Sequence, residues 1–220
     1  GWHIHHLSYQ YPSATSPLFK GLDFDIHSGE CCVITGTSGR GKSTLLNLML
    51  GLETPQSGTV SVRCDNSLFP IQQIKEKLLN SIGYVGPENF LVSGTIQDNL
   101  LYGTGVTDVS SQEIENNLKL AHCHFVFDLP DGVHHRITEQ GEGLSAGQKQ
   151  RLMLARALLR QPKALFLDEA TANLDAESEG LLLSTLQELK KSVTIIAVTH
   201  KPAFLNIADQ HIDLNTLSLK

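Results

Sequence analysis

The 220-residue sequence predicts an α/β fold, a parallel sheet flanked by helices with a helical insertion in its middle. Three observations predict it. The run at 31–35 is too apolar to alternate, as strands covered on both faces are, and 164–167 and 193–198 also read as strands. Segments between them carry leucines at helical spacing. From about 88 to 158 the strand pattern gives way to helix and loop. The sequence contains no internal repeat and no low-complexity segment.

Taken in order, residues 4–11 and 22–26 alternate as strands, the second closed by Ser28-Gly29. The buried run 31–35 leads into a glycine-rich turn. Residues 43–50 then read as a helix, with leucines at 45, 46, 48 and 50 and Gly51 as its stop. A short strand at 59–63, a short helix at 74–79 and a strand at 82–85 follow. Ser110 with Glu113 three residues on makes a capping-box pattern before Ile114, Leu118 and Ala121, which share a helix face. Residues 145–159 form a second amphipathic helix. The α/β alternation resumes with a strand at 164–167 and a helix at 176–191. Lys190-Lys191 closes that helix, where positive charge suits the dipole. A final strand is expected at 193–198.

Apolar residues at 40% suffice for a core, and charged residues at 18% are too few for a disordered polyelectrolyte. The net charge of −6 argues against a dedicated nucleic-acid binder, so no nucleic-acid partner is expected. It leaves room for a nucleotide, since a phosphate site needs only a few local donors. No run of about 18 apolar residues is present to span a membrane. The start has neither a basic region nor an apolar secretory segment, and lacks a methionine, as processing or excision from a longer polypeptide would leave it. Cys31, Cys32, Cys64 and Cys123 form no CxxC pair and are expected as small core residues in a reducing compartment. His3, His5 and His6 sit on an alternating edge segment with no further ligand nearby in sequence, and read as strand surface rather than metal ligands. His134 and His135, beside Asp131-Gly132, read as a turn.

Three motifs carry chemistry. Gly36-Thr37-Ser38-Gly39-Arg40-Gly41-Lys42-Ser43-Thr44 satisfies GxxxxGK[ST] between a buried strand and a helix. Glycines let backbone N–H groups curl around phosphate oxygens, and the helix start adds a favourable dipole. Lys42 is expected to reach the β and γ phosphates, and the Ser43 hydroxyl to ligate Mg²⁺. Leu165-Phe166-Leu167-Asp168-Glu169 is an apolar strand ending in two carboxylates. Asp168 suits a Mg²⁺ partner and Glu169 the polarisation of an attacking water. Leu144-Ser145-Ala146-Gly147-Gln148 opens a long helix. Such residues can be an N-cap and nothing more. Yet a second phosphate-facing helix terminus has no use within one monomer that already has a phosphate loop, which suggests a site completed by another copy.

Together these motifs resemble the nucleotide-binding domain of ATP-binding cassette (ABC) proteins, over nearly the whole chain. Residues 36–44 resemble the Walker A motif, 144–148 the signature and 165–169 Walker B. Ala172-Asn173-Leu174-Asp175 resembles the D-loop, and His200, in Val198-Thr199-His200, the switch histidine. Tyr11, in Tyr-Gln-Tyr-Pro, is similar to the aromatic residue that stacks on adenine. The resemblance implies a P-loop NTPase (RecA-like) core with an N-terminal antiparallel β subdomain, over 1–85 and 159–220, and an inserted helical signature subdomain over 86–158. It implies a head-to-tail dimer holding two ATP molecules with Mg²⁺, in which Ser145, the Gly147 backbone and Gln148 of one subunit complete the other's site. Glu169 would be the general base and His200 a γ-phosphate contact.

Two loops resemble those of exporters: Phe90-Leu91-Val92-Ser93-Gly94-Thr95-Ile96-Gln97-Asp98-Asn99, and Thr138-Glu139-Gln140-Gly141, a variant of a short acidic loop that contacts membrane domains. Ala146 stands where a glycine is commoner. Pro87, followed by Glu88, stands where the family has a glutamine. The function implied is the ATP-hydrolysing domain of an ABC exporter, at the cytoplasmic face of a membrane, partnered by a second nucleotide-binding domain and by transmembrane domains. A regulatory cassette with little turnover, or a soluble non-transport ABC ATPase, is the alternative.

Overall fold

The computed structural model describes residues 1–65, 67–88, 90–106, 108–139, 141–170, 174–190 and 192–217. The chain runs through β1 (Trp2–Tyr9), β2 (Phe19–Ile26), β3 (Cys31–Thr35), α1 (Lys42–Met49), β4 (Ser57–Cys64), β5 (Ser67–Pro70), α2 (Ile71–Leu79) and β6 (Ile82–Val85). It continues through β7 (Gly94–Thr95), α3 (Ile96–Leu101), α4 (Ser111–Leu120), β8 (Arg136–Ile137) and α5 (Ala146–Leu159). It closes with β9 (Ala164–Asp168), α6 (Ala176–Leu189), β10 (Thr194–Val198), β11 (Gln210–Asp213) and α7 (Leu214–Leu217).

A five-stranded sheet in the order β11-β3-β10-β9-β6 is parallel at every pairing. A second sheet, β2-β1-β4-β5, is antiparallel. The alternation of strand side chains sorts the core into two clusters. Cys31, Val33, Leu165, Leu167, Ile195 and Ala197 face α3–α6. Cys32, Ile34, Phe166, Ile196 and Val198 face α1 and the antiparallel sheet. Trp2 ties this second side together. Its ring meets Phe166 edge-on at 5.3 Å, and its indole N–H donates to the Met49 carbonyl at 2.9 Å, so the buried donor is satisfied.

The register also positions the site. Val198, the last residue of β10, lies beside Ile34 of β3 and Asp168 of β9. The loops leaving these three strands therefore emerge side by side at the carboxyl edge of the sheet, where open parallel sheets bind ligands.

The structure departs from the sequence reading in several places. β1 ends at Tyr9, leaving Tyr11 beyond the strand. Val193–Val198 is not the last strand, because β11 adds a fifth beside β3. With one buried residue, Ile212, β11 is too short and polar to show a pattern. β5 is another unforeseen strand. All its residues are exposed, and its terminal proline is tolerable on an edge. α2 begins at Ile71 rather than 74, and β7 pairs with β8 inside the helical insertion. α6 stops at Leu189, and Lys190 turns its ammonium to the Ile207 carbonyl at 2.9 Å and to Asp209 at 2.8 Å. Its backbone N–H still caps α6 on the Leu186 carbonyl, while its side chain ties the β11 approach to the core. Lys191 lies outside the described residues. Cys31, Cys32 and Cys123 are buried as expected, but Cys64 is exposed.

Candidate nucleotide site

α1 starts differently from α3, α4, α5 and α6, sharing its lack of a side-chain cap with α2, which begins behind Pro70. Thr95, Ser110 and Ser145 each close a capping box at the starts of α3, α4 and α5, and Asp175 caps α6. α1 has no side-chain cap. The first N–H groups of a helix have no acceptor within it, so this start is open to an anion and the dipole favours one. Its N-cap, Gly41, is left-handed at φ 85. A Cβ there would sit 2.6 Å from Leu18 Cδ2 and 2.8 Å from Phe19 Cζ, so conformation and space both demand glycine.

The loop before α1 folds around Lys42. This side chain is buried, and its Nζ donates to the Gly36 carbonyl at 2.9 Å and the Thr37 carbonyl at 3.4 Å. Ser38, Gly39 and Arg40 form the exposed rim, with the Arg40 N–H closing a turn onto the Thr37 carbonyl. Lys42 Nζ also lies 3.7 Å from Glu169 Oε1, and the same oxygen meets His200 Nε2 at 2.9 Å. One carboxylate thus links the helix start to the loop after β10. Glu169 reaches this position with φ 50, an unusual backbone conformation for a residue with a side chain, held by its N–H on the Val198 carbonyl at 2.9 Å. Such a conformation costs about 1–3 kcal/mol and is typical of working sites.

Asp168 is buried between two donors. Ser43 Oγ donates to its Oδ1 at 3.1 Å and the Tyr84 hydroxyl to its Oδ2 at 3.4 Å. Burial, then the adjacent Asp168 charge, pushes the Tyr84 hydroxyl up to about 12, so it stays a proton donor at neutral pH. A hydroxyl and a carboxylate side by side at an anion-attracting helix start are hard oxygen donors. They fit magnesium, which takes one or two protein oxygens and completes its shell from phosphate and water.

Tyr11 meets the other end of this loop. Its hydroxyl bonds Thr44 Oγ1 at 2.6 Å, and its partly exposed ring packs edge-on against Tyr9 at 5.1 Å. Thr37 is braced from the far end of the chain, its N–H and hydroxyl donating to Asn215 Oδ1 at 3.2 and 3.0 Å. Neither Tyr84 nor Asn215 belongs to the sequence-derived site. Tyr84 falls inside an apolar strand run and Asn215 in a tail without a motif, so nothing flagged them.

The third motif stays apart. Ser145 Oγ accepts from the Gln148 N–H at 3.1 Å, and the Ser145 N–H donates to Gln148 Oε1 at 2.8 Å. Gly147 is buried where a Cβ would lie 2.1 Å from Ser178 Oγ, so glycine allows α5 and α6 to approach. Among the described residues, no hydrogen bond joins these three to the 36–44 loop. Ala146 is exposed at the first helical position of α5. Pro87 and Glu88 are exposed. Of the D-loop motif, residues 172 and 173 lie outside the described residues, while Asp175 caps α6 by accepting from the Ser178 N–H at 2.8 Å. In the 138–141 turn, Gln140 also lies outside them.

The chain is similar to known proteins over most of its length. Residues 19–172 match the family model described as "ABC transporter". The mitochondrial ATP-dependent permease MDL1 of Schizosaccharomyces pombe is 40% identical over 208 residues, covering 93% of this chain and 28% of the permease. ATP-dependent permease MDL1 of Candida albicans is 40% identical over 215 residues, covering 95% of this chain and 30% of its own length. The solved structure of a bacterial Atm1-family ABC exporter with ATP bound superposes with a TM-score of 0.85 at 28% identity, covering 96% of this chain and 36% of the exporter chain. The chain thus spans under a third of the length of the two permeases.

Proposed function

The chain belongs to the ABC transporter family, as an ATP-binding nucleotide-binding domain homologous to those of exporter-type permeases, and on that premise we propose that it hydrolyses ATP to power export. The observation that carries the reading is the Lys42–Glu169–His200 chain beside the uncapped start of α1. In the proposed reaction, water attacks the γ-phosphorus of ATP in line with the bond to the β,γ-bridging oxygen. That bond breaks, giving ADP and phosphate.

Glu169 accepts the proton of the attacking water, a contribution of about 10²–10⁴-fold. Lys42 exchanges the Gly36 and Thr37 carbonyls for phosphate oxygens, and the N–H groups of 36–44 hold the rest. His200, already held by Glu169, is assigned the γ-phosphate contact. Ser43 and Asp168 would hold Mg²⁺, which when bound neutralises β- and γ-phosphate charge. Tyr84 keeps Asp168 oriented while Pro87 supplies no side-chain oxygen. Tyr11 supplies a ring at the adenine end.

Ser145, Gly147 and Gln148 are assigned to the site of a second nucleotide-binding domain, in a head-to-tail pair closed by ATP and released by hydrolysis. The separation of this motif from the loop in one chain supports that assignment. No helix among the described residues is long and apolar enough to cross a membrane. The transmembrane domains are therefore assigned to sequence beyond these residues or to a separate chain, with this domain at the cytoplasmic face. Within the chain we assign 1–85 and 159–220 to the catalytic core with its β subdomain, and 86–158 to the helical signature subdomain.

The test is the Mg-ATPase rate per chain against chain concentration, with Glu169→Gln sized with and without ATP. A rate rising with concentration, and a mutant dimer that forms only with ATP, is expected. Tight binding with no turnover at any concentration would turn the assignment to a regulatory cassette.

A further inference from the structure

β1 reads Trp2-His3-Ile4-His5-His6-Leu7-Ser8-Tyr9, and a regular strand would send His5 and His6 to opposite faces. It does not. Trp2 and Ile4 are buried, then Leu7 and Tyr9, so the phase changes between the two histidines and leaves both exposed. The pairing records one extra residue on β1 against both neighbours. Ile4 pairs with Phe24 and Leu7 with Leu22 on one side, while His5 pairs with Thr59 and Ser8 with Ser57 on the other. This is a β-bulge, with His6 left-handed at φ 47.

Two features hold the bulge. The His6 N–H donates to Asp23 Oδ1 at 2.9 Å. On the other side Gly58 makes room, since a Cβ there would lie 2.2 Å from the His6 carbonyl oxygen. A left-handed residue with a side chain costs about 1–3 kcal/mol and persists only when its surroundings enforce it. What the bulge achieves is to bring two adjacent imidazoles over one carboxylate. His5 Nδ1 lies 3.0 Å from Asp23 Oδ1 and His6 Nδ1 2.9 Å from Asp23 Oδ2. One ligand atom from each of the three lies within 4.8 Å of the others, a grouping no other histidine, cysteine or acidic residues make among the described residues. His3, hydrogen-bonded to Asp25, stacks on the His5 ring at 5.9 Å and walls one side.

These distances suit a tetrahedral ion. Bonds of about 2.0–2.1 Å to nitrogen and oxygen set ligand atoms about 3.3 Å apart, so the cluster closes with small side-chain movements. Two imidazoles and a carboxylate favour borderline ions over magnesium or calcium, which prefer all-oxygen shells. The geometry points to a divalent transition-metal site of the zinc class on the outer face of the antiparallel sheet, formed by His5, His6 and Asp23 with water completing the shell. It shares no residue with the nucleotide site.

The test is titration of the 220-residue chain with Zn²⁺ against a chromophoric chelator, together with the visible spectrum of bound Co²⁺. One equivalent bound with micromolar affinity and intense tetrahedral cobalt bands are expected. His5→Gln and His6→Asn should each weaken binding about tenfold or more, the asparagine being chosen because it tolerates a left-handed backbone. The far-ultraviolet circular dichroism of both should match the parent, and His124→Gln should bind as the parent does. Absence of zinc binding below about 1 mM, far above the range of protein-built imidazole sites, would overturn the site. So would undiminished binding in either histidine variant.

Discussion

The starts of α1 and α5 are built to opposite rules. α1 is left uncapped by a left-handed glycine, and the side chains around it are already paired, Ser43 with Asp168 and Lys42 with Glu169. α5 is closed by its own residues, Ser145 and Gln148 satisfying each other's backbone. An open helix start is prepared for a ligand before the ligand arrives. A closed one is stable without a ligand and can still present its exposed serine hydroxyl to a partner. In the proposed pair, the two motifs would therefore serve one phosphate in different ways, the first as a standing cradle and the second as a surface that meets it on assembly.

Variants can break or sharpen this comparison. The largest effect is expected at Glu169. Glu169→Gln should lower turnover about 10²–10⁴-fold while nucleotide affinity, read by fluorescent-ATP titration, stays near that of the parent. At the start of α1, Lys42→Ala removes a buried charged donor and should weaken nucleotide binding about 10–100-fold in the same titration. At the start of α5, Ser145→Ala should leave single-chain nucleotide binding intact and lower turnover about 10²-fold, as losing one transition-state donor does. Its cost to the monomer is only the lost cap, about 1 kcal/mol, read by urea denaturation. Smallest is Tyr84→Phe, which removes one hydrogen bond to Asp168. It should raise the magnesium concentration for half-maximal rate about fivefold and leave the nucleotide affinity unchanged.

How far these features could be read from the amino-acid order depends on the range of the forces involved. The phosphate loop, the carboxylates ending β9, the capping box of α4 and the N-cap of α5 are local patterns, and local backbone rules suffice to place them. The buried strands were equally legible, because a run such as 31–34 has no charged or strongly polar residue to put outside. What the order hides is pairing across long separations. Asn215 braces Thr37 through a contact that exists only once β11 lies beside β3. Tyr84 reaches Asp168 because β6 and β9 are neighbours, and in the sequence it is one more residue of an apolar strand. The histidines of β1 show the same limit. They read as strand surface and are partly or fully exposed on β1, but that Asp23 lies against two of them follows only from the β1–β2 pairing and the bulge at His6.

The central claim is that one working site takes its loop from one chain and its signature from another. The most direct measurement mixes two inactive variants, Lys42→Ala and Ser145→Arg, and follows ATP hydrolysis. In a head-to-tail pair, a mixed dimer joins two defects in one site and leaves the other intact. An equal mixture should therefore recover about a quarter of the parent rate. A mixture as inactive as either variant alone, under conditions where both chains still dimerise, would contradict the claim and place loop and signature in the same chain's site.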